Sequence, residues 1–212
     1  METETLGPGA CIASEANGTW SRRVGVMASG HTGIANQVLG QILLSTASAL
    51  ASASNTGNGT IGAITVGADA QSGDYVLTFV EPASDAGTFT VEDPAGRNVG
   101  SGVVGTEFTG GGLTFTVADG VADFAAGDRF VITVETGSEK YVPLDLDAED
   151  GSQIATAVLY DDTDATDEDA ECVVLHRVAE VVTDRLVFPD DITDQQKATA
   201  LAQLEAAGIT AL

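Results

Sequence analysis

The stretch KYVPLDLDAEDGSQIATAVLYDDTDATDEDAECVVLHRVAEVVTDRLVFPDDIT, residues 140–193, decides the fold of this chain. Short apolar runs alternate in it with acidic turns, a pattern that predicts short β-strands. The last run ends at Pro189, which cannot donate a hydrogen bond to a neighbouring strand. The predicted strands cover residues 141–144, 154–160, 172–175, 178–182 and 186–188.

A helix is predicted after this stretch, because both of its ends can be recognised in the sequence. Thr193 followed by Gln196 forms a capping box, in which the two residues satisfy backbone amides of the first turn. Gly208 suits the left-handed conformation in which many helices end. We expect a structural helix whose narrow buried stripe is centred on Leu201 and Leu204.

The order of these motifs resembles that of the lambda-type head decoration proteins of tailed bacteriophages. The resemblance rests on YVPLD (141–145), DGSQ (150–153), AVLYDD (157–162) and LVFP (186–189), followed by the terminal helix. It implies a mainly β fold with a β-clip-like core, which an N-terminal strand region forms together with residues 138–212.

The same resemblance implies a function and partners. The chain would be a non-enzymatic virion protein, made in the host cytoplasm, that binds the outside of the mature head. Its partners would be the major capsid protein and further copies of itself. A homotrimer at local three-fold positions would then stabilise the shell against internal DNA pressure.

An inserted domain is predicted in the middle of the chain. The VLG strand (38–40), within a predicted strand at 38–44, resembles a family strand that pairs with the stretch matching residues 140–144. Here about ninety residues separate the two, beginning with a Ser/Asn/Gly-rich linker at 51–60. We predict an arm (1–23), a discontinuous decoration core (24–54 and 138–212) and an inserted β domain (55–137).

The inserted domain has the strand spacing of a small β-sandwich or barrel. Alternating apolar residues make Phe79, Phe89 and Phe115 the expected core residues. TFTVEDPAGRNVG (88–100) and DFAAGDRFVITV (123–134) resemble a module that recurs in phage decoration proteins. The predicted strands cover residues 61–66, 75–80, 87–91, 99–104, 113–117 and 130–134.

The N-terminal region contains the candidate binding residues. Residues 1–19 lack periodicity and are expected to be disordered in isolation. The lone tryptophan and the adjacent arginines that follow are typical interface anchors, although Trp20 could instead pack on its own core while the arginines offset local acidity. The family resemblance favours attachment, and the predicted capsid-binding residues are Trp20, Ser21, Arg22, Arg23 and Val24.

Charge excludes several partners. The formal net charge is −24, from 32 acidic and 8 basic residues, so the surface repels nucleic acid and anionic membranes. Residues 38–54 are mildly apolar, but Gln41 and repeated Ser and Thr make them a poor membrane span. The first ten residues are acidic and do not resemble a secretory signal. We expect a soluble protein.

Neither catalysis nor a cofactor is predicted. The sequence has two histidines, His31 and His176, and contains no metal-protease, phosphate-loop or dinucleotide motif. Cys11 is expected to be an exposed thiol and Cys172 a small core residue, with no disulfide or zinc site. The acidic loop at 161–171 does not follow the EF-hand pattern and is interpreted as a solvated loop, with weak cation binding left open.

A second interpretation of the function also stays open at this point. The chain could be a β-sandwich adhesin or a carbohydrate-binding surface module that uses the terminal region as a scaffold. That interpretation predicts exposed aromatic side chains or an ordered calcium site in the middle of the chain.

Overall fold

The computed structural model describes residues 7–84 and 86–212, so predictions that fall on residues 1–6 lie outside it. The predicted mainly β class is confirmed, and one long helix lies near the C terminus. The chain forms two compact units. The terminal unit combines the residues up to Leu43 with Glu139–Leu212, and the middle unit is Leu44–Ser138.

The elements are numbered in chain order. The α-helices are α1 (Gly18–Ser21) and α2 (Asp194–Ala206), and Thr183–Arg185 form a short 3₁₀ helix. The strands are β1 (Ile12–Glu15), β2 (Arg22–Met27), β3 (His31–Gly33), β4 (Val38–Gln41), β5 (Leu44–Ala51), β6 (Thr60–Ile61), β7 (Thr65–Val66), β8 (Gly73–Ala83), β9 (Ala86–Glu92), β10 (Asn98–Val103), β11 (Glu107–Gly110), β12 (Leu113–Ala118), β13 (Arg129–Thr136), β14 (Tyr141–Pro143), β15 (Ala157–Leu159), β16 (Thr163–Ala165), β17 (Ala170–Leu175), β18 (Ala179–Val181) and β19 (Ile209–Ala211).

A closed barrel in the order β14-β2-β17-β15-β4 forms the centre of the terminal unit. The predicted pairing of the VLG strand with residues 140–144 is confirmed, because Val142 lies opposite Gly40 in an antiparallel pair. A side chain at Gly40 would come within 2.0 Å of the Ser152 carbonyl oxygen, so this crossing requires glycine. The barrel interior is filled by buried side chains that include Met27 and Leu159.

A three-stranded sheet, β1-β18-β19, packs with helix α2 beside the barrel. The capping box of Thr193 and Gln196 is confirmed, and Gly208 has a φ of +90° and donates its amide to the Glu205 carbonyl. The buried stripe differs slightly from the prediction. Ala200 and Leu204 are buried, and Leu201 is only partly covered.

The middle unit contains a five-stranded sheet, β10-β9-β8-β13-β5, and a smaller sheet in which β12 pairs with β11, β6 and β7. One hydrophobic core includes side chains from both sheets. The predicted core residues Phe79, Phe89 and Phe115 are all buried, and the rings of Phe79 and Phe124 stack 4.0 Å apart. This aromatic core explains how a unit rich in small residues can fold compactly.

The start of the middle unit differs from the predicted boundary at residues 54 and 55. The segment Leu44–Ala51 is strand β5, which pairs with β13 inside the five-stranded sheet. Leu44 is buried in the core of this unit, whereas Leu50 is 74% exposed. The prediction assigned residues 44–54 to the decoration core, whereas β5 belongs to the middle unit as an edge strand of its larger sheet.

Several strand predictions change in the structure. Residues 38–44 and 61–66 each divide into two strands, 154–160 shortens to β15, and 186–188 forms only a single bridge between Val187 and Gln37. Strands β1, β3, β11, β16 and β19 and most of β5 were not predicted.

The prediction of disorder is wrong for residues 7–19. Strand β1 pairs with β18, and Cys11 is fully buried rather than exposed. The amide of Cys11 donates to the side-chain oxygen of buried Asn36, which fixes this segment to the terminal unit.

Candidate functional site

Trp20 lies in the short helix α1, which directly precedes barrel strand β2. The side chain of Asn17 starts this helix by accepting hydrogen bonds from the amide and hydroxyl of Thr19, at 3.1 and 2.9 Å. Trp20 is 55% exposed. The alternative prediction, in which the Trp20 ring packs into the chain's own core, is therefore wrong.

Ser21 joins this segment to a turn at residues 176–178. The Ser21 hydroxyl, which is fully buried, donates to the Val178 carbonyl at 2.8 Å. The amide of His176 donates to the Ser21 carbonyl at 3.1 Å. Ser21 thus positions its neighbours and has no exposed surface of its own.

Arg177 lies against Trp20. Its guanidinium carbon is 4.6 Å from the centre of the indole ring, and its Nε donates to the Trp20 carbonyl at 3.0 Å. Such cation–π pairs favour a fixed orientation of both side chains. We call the exposed surface formed by Trp20, Arg177 and Val178 the Trp20 patch.

Val178 completes the patch in a strained conformation. Its φ is +48°, a region that β-branched residues rarely adopt, and its side chain is 49% exposed. Two donors, the Ser21 hydroxyl and the Ala16 amide, converge on its carbonyl at 2.8 and 3.2 Å. The surrounding structure thus holds an apolar side chain at the surface.

Arg22 and Arg23 are held by contacts within the terminal unit. Arg22 forms an ion pair with Glu15 and stacks 4.0 Å from the centre of the Tyr160 ring. The hydrogen bond to Glu15 raises the pKa of Arg22 above its ordinary value. Arg23 donates to the hydroxyl of Tyr141 and lies 5.3 Å from the centre of that ring. Both arginines are therefore pre-positioned cations.

Val24 points outward from strand β2. It is 67% exposed, and Val26, two positions further along the same face, is 38% exposed. Val173 of β17 lies opposite Val24 in the antiparallel pair. We call the surface of Val24 and Val26 the β2 outer face. It adds an apolar strip to the cationic segment that precedes it.

The structure brings together residues that the sequence separates. The predicted segment 20–24 is assembled with Arg177 and Val178, which the sequence analysis did not connect with it. Burial lowers the pKa of His176, and the positive charges of Arg23 and Arg177 lower it further, which favours its neutral imidazole. No sequence signal links Ser21 to Val178, because the bond between them depends on the pairing of β2 with β17.

The acidic loop at 161–171 is tied to the terminal unit by its own carboxylates. Asp162 accepts from the Ala35 amide at 2.7 Å, and Asp169 accepts from the Ser29 amide and from Lys140. The bonds to Lys140 and Ser29 lower the pKa of Asp169. In the described part of the chain, no group of three or more His, Cys, Asp or Glu side chains is placed to hold a metal ion.

Two further observations concern reactivity and membranes. Burial raises the pKa of the Cys11 thiol to about 11 and also raises that of Cys172. A thiol with so high a pKa is a poor nucleophile at neutral pH. Among residues 7–84 and 86–212, no helix is both long enough and apolar enough to cross a membrane.

The chain is a β-rich protein whose terminal unit presents apolar and cationic side chains on a firmly held surface. A family model described as bacteriophage lambda head decoration protein D matches residues 1–209. The chain therefore belongs to the family of phage head decoration proteins. That family is structural rather than enzymatic, and it gives the chain a role in decorating the phage capsid.

Beyond this family, the chain has only limited likeness to known proteins. No curated protein matches the chain. Solved structures similar to parts of it include FlgL of Xanthomonas campestris, with a TM-score of 0.34, 24% identity and coverage of 50% of this chain. FlgL of Legionella pneumophila has a TM-score of 0.34, 20% identity and coverage of 49% of this chain. The hook junction protein FlgK of Burkholderia pseudomallei has a TM-score of 0.35, 22% identity and coverage of 57% of this chain. The chain covers only 34%, 38% and 21% of these three proteins, respectively.

Proposed function

We propose that the chain binds the outside of the mature phage head as a homotrimer at local three-fold positions. It contacts the major capsid protein there and stabilises the shell against internal DNA pressure. The observation that carries this proposal is the exposure of Trp20 and Val24 on a segment that rigid contacts hold in place.

These two residues have the chemistry of interface anchors. Large aromatic side chains and arginines supply much of the binding energy of protein interfaces, provided that a partner covers them. The contacts of Ser21 and Arg22 reduce the conformational entropy that the segment loses on binding. We assign the capsid contact to residues 20–24, with Trp20 and Val24 touching the shell and Ser21, Arg22 and Arg23 positioning them.

The distribution of charge supports attachment at this segment. Three of the chain's 8 basic residues, Arg22, Arg23 and Arg177, lie in or beside it, although the net charge is −24. The remaining surface repels polyanions, so bracing of the shell needs no contact with the packaged DNA. Three attachment points on a rigid lattice then strengthen one another, because each binding event raises the effective concentration for the next.

The adhesin or carbohydrate-binding alternative gains no support from the middle unit. Every aromatic side chain described there, Tyr75 and six phenylalanines, is buried in its core. Sugar-binding surfaces that stack on exposed rings would need at least one of them outside.

The proposal is tested by titrating the purified protein against expanded shells of its phage and counting the bound copies. We expect saturation at a number fixed by the lattice. Val24→Asp and Trp20→Ala should each weaken binding about tenfold or more, while both variants remain folded at the assay temperature.

Val121→Asp is the matched control, since Val121 is fully exposed in the middle unit and lies outside the proposed contact. This variant should bind like the wild type. Binding that never saturates, or variants at 20 and 24 that bind as well as the control, would overturn the proposal.

A further inference from the structure

A groove of about 560 Å³ lies beside the turn at 176–178. Its lining includes three small residues, Ala16, Ala179 and Gly208, together with the carboxylate-bearing Glu180. Val178 belongs to the same lining, so the strained turn forms one wall of the groove. A projecting turn and an open groove therefore adjoin on one face of the terminal unit.

The turn and the groove carry opposite charges. In the part of the chain that the structure describes, the guanidinium of exposed Arg177 uses only its Nε for a hydrogen bond, to the Trp20 carbonyl. Glu180 accepts one bond, from the Ser14 hydroxyl at 2.5 Å. No ion pair joins Arg177 to Glu180 among the described residues of one copy, so both keep bonding capacity for a partner.

The strain at Val178 indicates that the shape of this turn matters. Residues held in sparsely populated backbone conformations persist only where their surroundings impose them, and they cluster at functional surfaces. Here the hydroxyl of Ser21 and the amide of Ala16 impose the conformation. The result is that an apolar side chain and a cation project next to each other.

We propose that this face joins neighbouring copies of the chain on the shell: the turn of one copy enters the groove of the next, and Arg177 pairs with Glu180 of that neighbour. The inference rests on the proposed function, since it concerns copies that meet on a capsid. Because the turn and the groove adjoin on one face, two copies can engage reciprocally across a two-fold axis, so the contact joins copies that belong to neighbouring trimers. Copies with a net charge of −24 repel each other, so their contact requires a cation that faces a carboxylate.

Charge reversal tests the pairing directly. Arg177→Glu and Glu180→Arg should each raise the half-saturating concentration on expanded shells about tenfold. The double variant restores opposite charges across the contact and should return to within about threefold of the wild type. An equimolar mixture of the two single variants should also bind more tightly than either alone, because each supplies the charge that the other lacks.

Two controls separate this effect from a general change of charge. Glu205→Arg reverses an exposed carboxylate on α2, and Arg129→Glu reverses an exposed cation in the middle unit. Both should bind like the wild type. Single variants that also bind like the wild type, or a double variant that stays weak, would overturn the inference.

If the wild type itself fails to bind shells, the proposed function fails. The inference is then decided by sedimentation equilibrium of the same variants in solution at high protein concentration. Wild-type association that both single reversals abolish and the double variant recovers supports the contact. A wild type that stays monomeric overturns it.

Discussion

The Ser21 hydroxyl donates a 2.8 Å hydrogen bond to the carbonyl of Val178, a residue 157 positions further along the chain. This bond connects the segment before β2 to the strained turn after β17. Because the Ser21 side chain is fully buried, the bond also contributes to the stability of the terminal unit. The shape of the Trp20 patch and the stability of the terminal unit therefore both depend on this hydrogen bond.

Replacing Ser21 by Ala should lower the free energy of unfolding by about 0.5–1.5 kcal/mol, because the partly buried hydrogen bond to the Val178 carbonyl is lost. Capsid binding should fall as well, since the turn at 176–178 relaxes. Urea unfolding and shell titration measure the two effects. Ser45→Ala, at an exposed position of β5, is the control, and an equal loss of stability there would contradict the assignment.

Replacing Val178 by Gly should not destabilise the protein and should raise its free energy of unfolding by about 0.5–1 kcal/mol. A left-handed backbone costs a β-branched residue about 1–2 kcal/mol and costs glycine nothing, although glycine loses part of this gain through its flexibility in the unfolded chain. Binding to shells should nevertheless weaken.

Val26→Gly provides the comparison for that experiment, because Val26 lies in a regular strand and should lose stability on the same substitution. Denaturant melts of the two variants give the sign of each change. If Val178→Gly lost as much stability as Val26→Gly, the backbone of Val178 would not be strained.

Asp128 should make the stability of the middle unit depend on pH. Burial opposes its ionisation, but the amides of Thr56, Gly57 and Ala125 donate to it at 2.9, 2.8 and 3.0 Å and hold its pKa below the ordinary value. A lowered pKa in the folded state adds stability that is present above about pH 4 and is lost as the pH falls through the folded pKa.

Asp128→Asn should therefore lower the melting temperature at pH 7 by about 5 °C, and the difference should shrink below about pH 4. Calorimetry across the pH range measures both. Asp69→Asn, at an exposed position, is the control. A difference that stays constant down to pH 2 would show that the charge of Asp128 contributes nothing.

The middle unit should be removable at the boundary that the structure gives. Ile42 and residues 139–140 form backbone hydrogen bonds of 2.8 and 3.0 Å, so the ends left by removing Leu44–Ser138 are already adjacent. A short Gly/Ser link in its place should leave a folded protein that binds shells, because loop length affects stability only weakly.

Removal of residues 55–137 instead should give a less soluble protein, because β5 then loses its partner β13. The isolated unit Leu44–Ser138 should melt cooperatively, and residues 55–137 alone should melt at a lower temperature. If the two shortened proteins were equally soluble, and the two isolated fragments melted at the same temperature, the assignment of β5 to the middle unit would be wrong.

The sequence predicted local features well and distant ones poorly. The capping box of Thr193 and Gln196 depends on residues three positions apart, and the buried phenylalanines follow strand alternation. Leu44–Ala51 was assigned to the decoration core, because the predicted linker begins only at residue 51 and the pairing of β5 with β13 joins residues far apart in the sequence. The positive φ of Val178 could not be inferred, since it depends on donors from Ser21 and Ala16 that only the folded chain brings near.

The proposed attachment is tested most directly by an electron cryomicroscopy map of expanded shells saturated with the full chain. We expect ordered density at local three-fold positions, with the terminal unit on the shell and residues 20–24 in its contact. Density that shows attachment through Leu44–Ser138, or copies scattered without regard to the lattice, would contradict it.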